Sequence, residues 1–167
     1  MARIRIDIDH LTTALSDHEN EWVLDLETGE VLMNEWIRDP KLRGDMGMVL
    51  DEPLEDDDEE DFDPLDSDRF RGIQPVASHT GFRWMECFAQ DQQDGRVRDR
   101  LHGALDRPRP FRRFRDALEE FPAVRDSWFR YEEDRLREEA ESWLRAEKID
   151  AQLVGTHLPG APGGEDR

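Results

Sequence analysis

Residues 51–68 carry twelve carboxylates and no Lys or Arg. Such a run cannot enter a hydrophobic core, because buried charges without partners are too costly. Residues 51–68 therefore read as an acidic, flexible loop that divides the chain into a strand-bearing first part and a helical second part. The opposite charge appears soon afterwards: residues 96–115 carry eight Arg against two Asp. Net charge is -19, yet residues 69–150 balance at seventeen bases against seventeen acids. A molecule this acidic disfavours loose contact with nucleic acid or anionic membrane as a whole.

The fold expected is α+β. Ile4, Ile6 and Ile8 alternate with polar residues, and Asp9 reads as the N-cap of a short helix over 10–16 that packs Leu11 and Leu15. Residues 21–34 give the clearest hairpin: Trp22, Leu24 and Leu26, a turn at Glu27-Thr28-Gly29, then Val31 and Met33. After Trp36 the pattern dissolves around Pro40, Gly44, Gly47 and Pro53. A third strand is expected at 69–76, ended by Pro75. Four helices follow: 78–92 with Ser78 as N-cap, 96–106, 111–121, and a long amphipathic helix from Pro122 bearing Val124, Trp128, Tyr131, Leu136, Ala140, Trp143 and Leu144. The organisation expected is one domain over 1–150, its hairpin and one or two further strands packed against the helical half, with a loose tail at 151–167.

Five Trp and eight Phe argue for a packed core despite a mean hydropathy of -0.90. Cys87 is the single cysteine, so an internal disulfide and a cysteine zinc site are excluded. Cys87 is expected to be a buried, inert thiol. The first residues show no apolar signal segment, and no apolar run approaches the roughly 20 residues of a membrane helix, so the expected location is cytoplasmic, away from membranes. The five His show no paired spacing, and no phosphate loop, nucleophile elbow or dinucleotide fingerprint occurs. Asp61, Asp63, Asp66 and Asp68 lack the central Gly and the spacing of a calcium loop. No catalytic residue, metal site or cofactor is assigned.

The sharpest feature is RPRPFRRFRDAL. Arg107, Arg109, Arg112, Arg113 and Arg115 surround Phe111 and Phe114. Guanidinium groups grip phosphates and carboxylates in pairs of hydrogen bonds, and both they and aromatics stack on bases. A contact with phosphate, nucleotide or RNA is one reading. Against it, both Phe can be core residues while the Arg pair with Asp116, Glu119, Glu120 and the acids of the last helix. Trp22, Trp36 and Trp84 form a second candidate surface, an exposed aromatic edge. The expected function is a non-enzymatic module that binds or regulates a protein partner through one of these surfaces. The alternative is RNA or nucleotide binding by 107–115, gated by the acidic loop.

WVLDLETGEVLMN, an acidic spacer, RFRGIQPVASHTGFRWMECF, RPFRRFRDALEEFP and a final helix ending ESWLRAEKI occur in that order. In this the chain resembles the bacterial family known as Uncharacterised Protein Family one-five-eight. The resemblance spans about residues 4–150, outside the acidic loop and the tail. It implies a small cytoplasmic α+β protein and brings no catalytic residues with it. Phe82 and Trp84 depart from the pattern towards larger aromatics, which suggests an additional exposed contact.

Overall fold

The computed structural model describes residues 3–45, 47 and 62–155. Most of the acidic run (51–61) and the tail beyond 155 lie outside the described residues. The class is α+β. Two compact units form, one from Met1–Pro75 with Ala140–Arg167 and the other from Val76–Glu139.

The first unit begins with β1 (Ile4–Asp7) and runs directly into α1 (Ile8–Ser16). The helix is capped by Asp7 and not by Asp9: the Asp7 carboxylate accepts from the amides of Asp9 and His10. Starting two residues earlier lets Ile8 join Leu11 and Leu15 on the buried face. The hairpin forms as expected. Strand β2 (Trp22–Asp25) pairs antiparallel with β3 (Val31–Met33), Trp22 opposite Met33. Gly29 takes φ +82, and a Cβ there would land on the Arg5 carbonyl oxygen. The turn therefore needs glycine twice over, for its left-handed backbone and for its close approach to β1. Strand β4 (Phe70–Ile73) adds to the other edge of β2, giving the order β3-β2-β4.

Two further features of this unit depart from the expectation. Where the pattern dissolves after Trp36, the chain instead forms α2 (Asn34–Arg38) and α3 (Pro40–Asp45). Pro40 opens α3, and the Asp39 carboxylate accepts from the Lys41 amide at 2.9 Å. Asp-Pro is thus a helix start here, with proline at the first helical position, and not a break. The second departure is β5 (Ala151–Val154), at the head of the expected loose tail, which pairs parallel with β1, Ile4 opposite Ala151 and Asp7 opposite Val154. Val23, Leu32, Ile37 and Phe70 form one core cluster of this unit, with Trp36 and Phe62 against it.

The second unit consists of helices: α4 (Ser78–Gln90), α5 (Gly95–Leu105), α6 (Pro110–Leu118) and the first part of α7 (Pro122–Ala146). Ser78 does not cap α4. Ala77 holds that position with no side-chain bond, so Ser78 lies inside the first turn. Asp94 caps α5 by accepting from the Arg96 amide at 2.9 Å. Trp128 sits at the centre, its ring 5.0 Å from Phe114 and 5.3 Å from Phe88. Met85, Leu101, Ala117 and Leu118 close the cluster around them.

Candidate functional site

The Arg/Phe segment forms most of the connection from α5 to α6, and α6 itself. Its apolar half packs as core. Phe114 is fully buried, and Phe111 is half-buried, meeting Phe82 edge-on at 6.4 Å between ring centres. Phe82 and Trp84, expected as an additional exposed contact, are instead half-buried against this core. Trp22 and Trp36, in the first unit, pack edge-on at 5.9 Å, and the Trp22 indole donates to Asp17. A bond from Asn20, and after it the one from Trp22, hold the Asp17 carboxyl down at about 2.

The Arg half does not pair as the core alternative requires. Glu119 binds Arg125 at 2.9 Å and Glu120 binds Arg100 at 2.8 Å, so both acids are taken by residues outside the segment. Arg107, Arg109, Arg112, Arg113 and Arg115 are all exposed, and among the described residues none forms an ion pair. Arg113 is tied back by its Nε, which donates to the Pro108 carbonyl at 2.7 Å. Five guanidinium groups within nine residues, without a carboxylate between them, concentrate positive potential on one short stretch.

Backbone geometry adds donors to that potential. Arg109 is the N-cap of α6 in the left-handed region, φ 59 and ψ 54, and makes no side-chain cap bond. With Pro110 first in the helix, the amides of Phe111 and Arg112 face outward at the positive end of the helix dipole. A non-glycine residue held left-handed costs roughly 1–2 kcal/mol. Arg109→Gly is accordingly expected to raise unfolding free energy by about 1 kcal/mol in a urea titration. A fall in stability would show that the Arg109 side chain supports the fold.

One acid does feel the segment. Burial pushes the Glu132 carboxyl on α7 up, and the Arg115 guanidinium pulls it partly back. The folded state thus holds this proton more tightly than the unfolded chain, so Glu132 costs stability as pH rises through its folded pKa and costs nothing below its ordinary value. Glu132→Gln should raise the melting temperature at pH 7 and leave it unchanged in acid. Arg115→Ala should lower it at pH 7. An unchanged Glu132→Gln melt across that range would show that the carboxyl is solvated.

Cys87 is exposed, not buried. Met85 and Phe88 turn inward on α4, and a residue between them at 100° per position faces out. Among the described residues no Ser or Cys side chain bonds a His, and His10 stands 3.8 Å from Asp7, a carboxylate already used as the α1 cap. No group of three or more His, Cys, Asp or Glu is arranged to hold a metal ion among the described residues. Nor, among them, is any helix long and apolar enough to cross a membrane.

The family described as "Uncharacterised protein family (UPF0158)" matches residues 2–156. The chain belongs to UPF0158. The UPF0158 protein PA5073 of Pseudomonas aeruginosa is 31% identical over 166 residues, covering 98% of this chain and 97% of the relative. No solved structure matches. Within this UPF0158 chain the LDLETGEV block has a structural task. Asp25, fully buried, accepts from the amides of Glu27 and Thr28 and takes a two-pronged ion pair from Arg69 of RFRGI, at 3.0 and 2.9 Å. Burial pushes the Asp25 carboxyl up, but Arg69 and the turn amides outweigh it and hold it below the usual range. The sequence reading assigned no role to either residue. A lone Asp at a strand end and an Arg forty-four positions later carry no local sign of pairing.

Proposed function

We propose that this UPF0158 chain is a cytoplasmic, non-enzymatic binding protein that takes an acidic partner protein on the Arg segment of α6. One observation carries this: five exposed Arg side chains without an ion pair, beside acids engaged elsewhere. Exposed like charges repel one another and are relieved when an anionic surface meets them. Arg is also a favoured anchor at interfaces, where its planar fork binds carboxylates with two parallel hydrogen bonds.

RNA or nucleotide binding at the same place is the second reading. The uncapped amides of α6 favour it, since helix starts bind phosphate readily. One thing counts against it. Phe114 is buried and Phe111 is half-buried with its ring against Phe82, which leaves no open stacking platform.

Titration of the protein with a short Asp/Glu-rich peptide, single-stranded RNA and nucleotides, each at two salt concentrations, tests the assignment. Peptide binding that weakens with salt and is lost in an Arg107→Ala/Arg109→Ala/Arg112→Ala variant of unchanged melting temperature is expected. RNA binding lost in the same variant would favour the second reading. No response to any of the three would sink both. If the variant unfolds, those Arg are structural and the reading fails.

A further inference from the structure

A cavity of about 580 Å³ lies in the first unit, where α2 and the loop before β2 face one another. That volume suits a small organic molecule. Its wall carries Glu19, Glu21, Glu35 and Asp39 against a single cation, Arg38. The acids alone would be an ordinary acidic surface. The independent observation is Asn34, also in the wall and only 2% exposed. Its backbone amide donates to the Glu21 carbonyl at 2.8 Å, and its Nδ2 donates to the Glu21 carboxylate at 3.0 Å. Its Oδ1 is buried and has no hydrogen-bond partner.

A buried carbonyl oxygen without a donor is costly. Turning the amide over does not relieve it, because that would set oxygen against the Glu21 carboxylate and leave the NH2 group without an acceptor. The site therefore lacks a hydrogen-bond donor, and its carboxylates call for that donor to be cationic. A bare metal ion fits poorly, since the acids do not converge as ligands among the described residues. A guanidinium fits better: it is planar, always charged, and carries five N–H donors that can serve carboxylates and an amide carbonyl at once.

We propose that this cavity binds a guanidinium group, with Asn34 Oδ1 as the neutral acceptor and Glu21, Glu35 and Asp39 as the counter-charges. The group comes either from a free arginine-like amine or from an arginine side chain of a peptide. The cavity differs in residues and in charge from the Arg segment of α6, and its occupancy does not depend on the function proposed for that segment.

Calorimetric titration of the full chain with agmatine and, separately, with a short Arg-containing peptide tests the proposal, alongside amide NMR shifts. Saturable binding of either probe is expected, with the largest shifts at the Asn34 side-chain amide. Agmatine binding identifies a free ligand, whereas binding of the peptide alone identifies a partner's side chain. Asn34→Leu should weaken binding by about tenfold or more, the usual effect of losing a hydrogen bond to a charged group. Glu35→Gln, at an exposed position on α2, should weaken it while leaving the melt unchanged, which keeps the test meaningful if Asn34→Leu fails to fold. Arg38→Ala should strengthen it. Lack of saturable binding by both probes, or affinity untouched by Glu35→Gln and Arg38→Ala, overturns the proposal.

Discussion

Alanine at Asp25 is expected to lower the unfolding free energy by about 3–5 kcal/mol, because it leaves the Arg69 guanidinium buried without its main counter-charge. Arg69 is 10% exposed and Asp25 not at all, so water cannot replace the lost carboxylate. Two turn amides lose their acceptor in the same step. Glu27, 3.3 Å from Arg69 Nε, is half-solvated and offsets only part of this. Urea unfolding followed by circular dichroism measures the loss. A second variant separates cause from coincidence: Asp25→Ala with Arg69→Leu should recover much of the stability, since removing both charges leaves none stranded. If the double variant is no better than the single one, the ion pair is not what Asp25 contributes. The pH dependence follows from the lowered carboxyl: the contribution is complete above the ordinary aspartate value and is lost as pH falls through the folded one.

Alanine at Trp128 is expected to cost about 3–5 kcal/mol, as other large aromatic deletions in cores do. The indole is 1% exposed and is shared by Phe88, Phe114 and Tyr131, the last at 5.7 Å. Four rings meeting edge-on, tilted or, for Trp128 and Tyr131, stacked cannot collapse into the space left by the largest of them without losing their mutual geometry. The loss should appear as a weakened near-ultraviolet dichroism signal and a lower urea midpoint. Trp128→Phe should keep part of the stability. A loss below about 1 kcal/mol for Trp128→Ala would mean that the helices repack freely around the void.

What the sequence revealed was governed by distance along the chain. The hairpin was readable because its signals are contiguous: Glu27-Thr28-Gly29 between two apolar runs. The Phe114 face of α6 and the Trp128 face of α7 were readable for the same reason, through helical spacing. The pairing of β1 with β5 was not, since parallel partners near opposite ends of the described chain share no turn to announce them. Asp25 looked like a polar strand residue, and only Arg69 makes its burial tolerable. At the Arg segment, composition showed the charges but not their partners. Glu119 and Glu120 follow Arg115 by little more than a helical turn, yet they are oriented towards Arg125 and Arg100. The acidic cavity was invisible because Asn34, Glu35 and Asp39 become neighbours of Glu19 and Glu21 only once the hairpin has closed.

The β1–β5 ladder also sets an order of events during synthesis. Val76–Glu139 is continuous in sequence, so all of it is synthesised before Ala151 is added. Of the described strands β1 is made first and waits longest, its neighbour being the last of them. Closing that ladder spans nearly the whole described chain, and its entropy cost grows only slowly with length, so the delay is one of timing more than of stability. Until then the backbone edge of Ile4–Asp7 stands open, available to chaperones or to the same strand of a neighbouring nascent chain.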